Sequence, residues 1–254
     1  MALLEVKSLQ KVVSNNFSNN KISLLQNIHF QVEPGEYVAI LGESGSGKST
    51  LLQMLGLMDP VDNGKIILDG YNITRLEKDQ IPAFRRTHFG MIFPDFRLID
   101  TLTLQENICF PMVMAKQKAK EMLKKCKQVA DFIGIGNELN LYPHECSDEL
   151  KQKCALARAL IMHPDLILAD EPTWRLKSNE TDVFLNLLDQ VHNRPQTILI
   201  TTHSALVASR ADRVLFIRDG RIHKEMKRQG SSKDFYIQLA RTFEKIHMED
   251  AYGH

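Results

Sequence analysis

Short apolar runs, bounded by turn residues, alternate along this chain with stretches of helical period. Leu3 to Val6, Ile28 to Val32 and Tyr37 to Leu41 have strand-like composition, with Pro34-Gly35 as a turn between the last two. Gly64 to Leu68, closed by Asp69-Gly70, reads as another strand and turn, and Phe89 to Phe93 as a short apolar strand. From about Thr103 to Met162 the period becomes helical. Ala119, Met122, Leu123, Cys126, Ala130 and Ile133 form an apolar stripe, and the lysines opposite read as a solvated face. A second helix is expected from about Leu150 to Met162, stopping at Pro164. Strand pattern returns at Asp165 to Ala169, Thr197 to Thr201 and Arg213 to Ile217, the last meeting a turn at Asp219-Gly220. In the tail from Ser232, Tyr236, Leu239, Phe243 and Ile246 fall near helical spacing and predict an amphipathic helix.

Strands alternating with helices, with polar residues at strand C-terminal ends, predict an α/β fold with a mainly parallel sheet flanked by helices. An N-terminal antiparallel β region and an inserted helical lobe complete the expected architecture. The expected boundaries are 1–93 and 163–225 for the α/β core, 94–162 for the lobe and 226–254 for the tail. A chain of 254 residues can bury a sizeable core in that form. Its net charge of +1 implies no general attraction to nucleic acid. Cys109, Cys126, Cys146 and Cys154 show no metal spacing and read as reduced thiols. No leader pattern opens the chain and no apolar run approaches a bilayer span, so a soluble protein is expected whose membrane role comes through a partner.

Chemistry concentrates at the strand ends. Gly42, Glu43, Ser44, Gly45, Ser46, Gly47, Lys48, Ser49 and Thr50 form a complete phosphate-binding loop between an apolar strand and a helix. Glycines let the backbone turn its N–H groups toward phosphate oxygens, and the helix N-terminus adds positive potential. Lys48 would reach the terminal phosphates, and the Ser49 hydroxyl would join a Mg²⁺ shell. Asp170, after four apolar strand residues, suits a carboxylate serving Mg²⁺. Glu171, one residue on, is a candidate to orient or deprotonate the attacking water. His203, at another strand end, is placed to contact the γ-phosphate.

The loop, the stretch Leu166 to Thr173 (L-I-L-A-D-E-P-T), Thr201-Thr202-His203 and the element order resemble the ATP-binding subunits of ABC transporters over nearly the whole chain. Phe89 to Phe93, Thr101 to Asn107 and Tyr142-Pro143-His144 are similar to the branch of lipoprotein-release and macrolide exporters. Leu98 to Thr103 and Asp234-Phe235-Tyr236 look most like the subunits of bacitracin-type resistance exporters. The resemblance implies an ATPase on the cytoplasmic face of a separate membrane permease. It also implies two ATP molecules sandwiched between two such subunits, in a homodimer or heterodimer. A groove around Phe96, Leu98 and Thr101 would then dock the permease.

Four departures qualify the resemblance. The family's L-S-G-G-Q signature is here Cys146-Ser147-Asp148-Glu149-Leu150. Side chains obstruct an approach that glycines permit, and two carboxylates put like charge near a phosphate. A unit-charge pair at ~4 Å costs roughly 4 kcal/mol at an effective dielectric of ~20. Acidic residues are also favoured simply as the first turn of a helix. The glutamine after Phe93 is Pro94, which has no side-chain metal ligand. The loop after Glu171 reads Trp174 to Ser178, with Lys177 replacing a cross-subunit aspartate. The adenine-stacking aromatic aligns near Val13, with Phe17 as a substitute. Three functions therefore compete: an ATPase subunit driving a permease, a catalytically weak or inactive ATP-binding regulatory subunit, and a P-loop protein of DNA maintenance. The third lacks coiled-coil heptads or a basic surface.

Overall fold

A computed structural model describes residues 1–14 and 21–251. In chain order the elements are β1 (Leu4–Ser14), β2 (Lys21–Val32), β3 (Tyr37–Leu41), α1 (Lys48–Leu55), β4 (Asn63–Leu68), β5 (Tyr71–Asn72), α2 (Ile81–His88) and β6 (Phe89–Ile92). There follow α3 (Leu104–Met114), α4 (Ala119–Ile133), α5 (Asp148–Leu160), β7 (Leu166–Asp170), α6 (Ser178–His192), β8 (Thr197–Thr202), α7 (Ala205–Ala208), β9 (Arg213–Arg218), β10 (Arg221–Lys227) and α8 (Ser232–Ala251). The chain forms two compact units, one of residues 1–75 with 199–254 and one of residues 76–198.

In the first unit an antiparallel sheet runs in the order β2-β1-β4-β5. A second run of strands has the order β10-β9-β3-β8, with β3 parallel to β9 and β10 antiparallel to it. Every residue of β3 is buried, as expected for a parallel strand covered on both faces. Asp69-Gly70 and Asp219-Gly220 close the β4–β5 and β9–β10 hairpins with positive φ at both positions, the conformation that matches strand twist. Arg213 is buried at the start of β9, where it donates to Glu36 Oε1 at 2.6 Å, Glu36 Oε2 at 2.8 Å and the Gln31 carbonyl at 2.5 Å. The Glu36 carboxylate raises the Arg213 pKa and outweighs the cost of burial.

The second unit packs α3, α4 and α5 together, with β6 parallel to β7. Thr103 caps α3 in a reciprocal box: its Oγ1 accepts from the Glu106 N–H, and Glu106 Oε2 accepts from the Thr103 N–H. Buried Asn107 fastens the preceding loop, accepting from the Ile99 N–H and donating to the carbonyls of Ile99, Leu102 and Thr103. Three carbonyls share its two amide hydrogens, and its own carbonyl oxygen accepts one bond.

Several expectations shift. The first two strands run well past Leu3 to Val6 and Ile28 to Val32, and α2 and β10 have no counterpart among the predicted elements. In α4 only Cys126, Ala130 and Ile133 are buried, and Leu123 stays 51% exposed. The helix expected from Leu150 begins at Asp148, because Ser147 caps it. In α8 the buried face carries Phe235 and Leu239, whereas Tyr236 is 39% exposed. Leu239 is buried and Phe243 and Ile246 are half-buried, as the spacing suggested, and Phe235 takes the place of Tyr236 on the core side. Among the described residues no helix is long and apolar enough to cross a membrane.

Phe235→Ala is expected to destabilise the protein by about 3–5 kcal/mol, the usual cost of emptying a buried phenylalanine site. Tyr236→Ala should cost far less. Denaturant unfolding of the two variants measures the difference and fixes which face α8 buries.

Candidate functional site

The phosphate loop is built by backbone geometry before any side chain acts. Gly45 has φ 83° and Gly47 φ 98°, both left-handed, and Gly47 is the residue from which α1 departs. A Cβ on Gly42 would lie 2.3 Å from the Ile217 carbonyl oxygen, and one on Gly47 2.8 Å from Leu25 Cδ2. The Ser46 hydroxyl donates to the Glu43 carbonyl at 2.8 Å, which closes the turn. Lys48 is 5% exposed, and its ammonium donates to the carbonyls of Gly42 at 2.9 Å and Glu43 at 2.7 Å. Ser49 and Thr50 occupy the first turn of α1, whose amides have no acceptor within the helix's own ladder. A concave backbone, a buried ammonium and a helix N-terminus fit a chain of phosphates. A cavity of about 210 Å³ flanks the loop, lined by Glu43, Ser44, Gly45, Ser46, Ile217, Arg218 and Asp219.

His203 belongs to the same unit. It follows β8 directly, is exposed, and is adjacent to Thr202, whose carbonyl accepts the Gly42 N–H at 3.3 Å. The fold therefore brings His203 to the first glycine of the phosphate loop. Asp170 and Glu171 belong to the second unit. Asp170 ends β7 and is 6% exposed. Glu171 has a left-handed backbone, φ 40°, and its carbonyl accepts the Trp174 N–H at 3.0 Å.

The segments that depart from the resemblance have their own local logic. Ser147 Oγ accepts from the Leu150 N–H at 3.2 Å. Asp148 and Glu149 fill the first turn of α5 and meet lysines of the same helix, Asp148 with Lys151 at 3.6 Å and Glu149 with Lys153 at 2.6 Å. These pairs offset much of the like charge that the bare sequence places there. Pro94 leads into left-handed Phe96 and Arg97, and Arg158 donates to both of their carbonyls. Phe96 is buried, which removes it from the expected docking surface and leaves half-buried Leu98 and exposed Thr101. Lys177 precedes α6 with its side chain 82% exposed, and its N–H donates to Glu180 at 2.9 Å. Val13 is exposed, and Phe17 lies outside the described residues. Sequence reading overlooked Gln152: it is fully buried in α5 and donates to the Pro172 carbonyl, which ties that helix to the turn after Glu171. Only a buried polar residue on the apolar side of the predicted helix could have signalled it.

A buried parallel strand, a glycine loop holding a lysine, and the helix behind it define a P-loop nucleotide-binding α/β protein. The family model described as ABC transporter matches residues 25–174, and the chain belongs to this family as one of its ATP-binding proteins. It is 39% identical over 244 residues to the bacitracin export ATP-binding protein BceA of Halalkalibacterium halodurans, covering 95% of this chain and 96% of that one. It is 39% identical over 238 residues to the ABC transporter ATP-binding protein YxdL of Bacillus subtilis, covering 93% of this chain and 91% of that one. The macrolide export ATP-binding/permease protein MacB of Hyphomonas neptunium is 37% identical over 220 residues, 87% of this chain but 34% of that longer protein. Among solved structures, the ATP-binding cassette MJ0796, in a dimeric post-hydrolysis state with ADP and Pi, aligns with a TM-score of 0.82 and 30% identity. It covers 89% of this chain and 99% of that one. The fold is accordingly the α/β P-loop fold of ABC cassettes.

Gly42→Ala and Gly45→Ala separate the two demands on the loop. A Cβ on Gly45 would point into open space, so alanine there carries only left-handed strain, about 1–2 kcal/mol. Gly42→Ala drives a methyl into a carbonyl and should abolish binding of a fluorescent ATP analogue while lowering the unfolding midpoint more than Gly45→Ala does.

Proposed function

We propose that the protein binds Mg-ATP and hydrolyses it to drive a separate membrane permease that exports peptide antibiotics or related envelope compounds. The observation that carries this reading is the phosphate loop, complete from Gly42 to Thr50 with Lys48 buried against its carbonyls. The bacitracin export protein, matched over nearly its whole length, supports the substrate class. Lys48 neutralises the terminal phosphates and Glu171 positions or deprotonates the attacking water. His203 holds the γ-phosphate. Ser49 and Asp170 supply the hydroxyl and carboxylate for Mg²⁺, which when bound neutralises charge on the transferred phosphoryl group. Two ATP-binding subunits, alike or different, act together at the cytoplasmic membrane face, held there by the permease. In this reading 1–93 with 163–225 is the ATP-binding core, 94–162 the lobe facing the permease and 226–254 the tail.

A second reading draws on the segment Cys146 to Leu150. Asp148 and Glu149 stand where the family has glycines, and a subunit unable to close over its partner's nucleotide would regulate its exporter without fast turnover. Phosphate release by the chain with and without its permease distinguishes the two. Glu171→Gln is expected to bind ATP as the parent does and to lose phosphate release. If parent and variant release phosphate equally poorly, the regulatory reading holds. Replacing Cys146, Asp148, Glu149 and Leu150 with Leu, Gly, Gly and Gln is expected to raise turnover at least tenfold, equivalent to about 1.4 kcal/mol of barrier. Unchanged turnover would sink the steric and charge argument.

A further inference from the structure

The second unit holds all four cysteines of the chain. Cys109 on α3, Cys126 on α4 and Cys154 on α5 are buried, and Cys146, ahead of α5, is half-buried. Two of them meet at the seam between α3 and α4. Cys109 Sγ lies 3.9 Å from the Met122 carbonyl oxygen of α4, and Cys126 Sγ lies 3.8 Å from the Gln105 carbonyl oxygen of α3. Each thiol thus reaches the opposite helix one turn before the other thiol. Those crossed pairs, 105 with 126 and 109 with 122, are the register of two antiparallel helices, and they set the two sulfurs facing each other. The thiols are also hydrogen-bonded to one another.

Their surroundings differ. Cys126 is fully enclosed, whereas Cys109 keeps 6% of its surface open. The Cys126 S–H stabilises a thiolate at Cys109 and lowers its pKa, against burial and the charge of Glu106, which raise it. The same bond, followed by burial, raises the pKa of Cys126. Burial pushes Cys154 up to about 12 and also raises Cys146. Of the four thiols only Cys109 is shifted toward the thiolate, the form that reacts.

We propose that Cys109 and Cys126 are a redox pair, joined by a disulfide when the chain meets a peroxide and parted again by a thiol reductant. The Cys109 thiolate attacks one oxygen of hydrogen peroxide, the O–O bond breaks and hydroxide leaves, so Cys109 becomes a sulfenic acid. The Cys126 sulfur then attacks the Cys109 sulfur, forming the S–S bond and breaking the S–O bond. The hydroxyl departs with the Cys126 proton as water, and the first hydroxide takes up the proton that Cys109 released. Together the two sulfurs lose two electrons, and the peroxide is reduced to two waters. Only Cys109 has to be reached from solvent, where its open edge and the local opening of a helix surface admit a molecule scarcely larger than water. Cys126 needs no access, because its target is the neighbouring sulfur. The bond fastens α3 to α4, and the step needs no nucleotide.

The test treats the full native chain with hydrogen peroxide, blocks remaining thiols with N-ethylmaleimide and maps peptides by mass spectrometry without reductant. The expected product is lighter by two hydrogens, has lost two free thiols, joins the peptide bearing Cys109 to the one bearing Cys126, and is reversed by dithiothreitol. Cys126→Ser should abolish the crosslink and leave a sulfenic acid at Cys109 that dimedone captures; Cys126→Ala carries the same comparison if the serine variant does not fold. Cys146→Ser should leave the crosslink unchanged. Because Cys146 is the most open thiol, accessibility alone predicts oxidation there first. Oxidation confined to Cys146, a crosslink that includes Cys146 or Cys154 instead, or a Cys109–Cys126 bond that forms only in denaturant overturns the inference.

Discussion

Gly42, Gly47 and Gly220 stand where three backbone segments of the first unit come closer than any side chain permits. A Cβ at Gly42 would meet the Ile217 carbonyl at 2.3 Å, and one at Gly220 the Leu24 carbonyl at 2.2 Å. At Gly47 the obstacles are Leu25 Cδ2 and the Leu24 carbonyl, at 2.8 and 3.0 Å. The Gly220 N–H then reaches the Ser46 carbonyl at 3.2 Å, so the β9–β10 hairpin turn braces the phosphate loop directly. The shape of the loop is therefore dictated by packing against β2, β9 and the hairpin turn, and its own side chains only close it. The ammonium of Lys48 is buried among carbonyl oxygens of that loop, those of Gly42 and Glu43.

What the sequence made legible follows the same distinction between local and tertiary causes. The phosphate loop, the two Asp-Gly hairpins and the apolar strands β3, β7, β8 and β9 each have a local signature of spacing or turn chemistry, and all are present. Two of the elements that escape prediction, β10 and α2, lack such a signature. β10, with Arg, His, Lys and Glu exposed along it, is a strand because β9 offers it a ladder of hydrogen bonds. α2 has no fully buried residue, so no apolar stripe announces it. The face of α8 could not be settled from Tyr236, Leu239, Phe243 and Ile246, because tyrosine fits either side of an amphipathic helix. Phe235, one residue earlier, takes the buried position with Leu239 at the i, i+4 spacing that side-chain contacts on a helix require.

The candidate residues can be named one by one from the sequence, while the contacts around them cannot. Nothing local to Gln152 says that its amide will reach the Pro172 carbonyl, because the partner lies 20 residues away. Yet that bond gives the helix carrying the altered segment a direct hold on the turn after Glu171. That hydrogen bond is buried and links α5 to the segment that follows Glu171.

The acidic pair in that helix calls for a different weighting of charge and shape than the bare sequence does. Two uncompensated carboxylates would oppose a phosphate by several kcal/mol at ~4 Å and an effective dielectric of ~20. Asp148 and Glu149 instead have Lys151 and Lys153 at 3.6 and 2.6 Å, partners supplied by the same helix at i+3 and i+4. Partly exposed pairs of this kind contribute little to stability, but they leave the first turn of α5 close to electrically neutral. Shape has no such compensation. Side chains at these positions add bulk that glycines lack, and Ser147 already uses its hydroxyl to cap the Leu150 N–H. Under the proposed regulatory reading, the obstacle at this helix end is steric rather than electrostatic: glycine at 148 and 149 then restores turnover, and amide substitutions that keep the side-chain bulk do not.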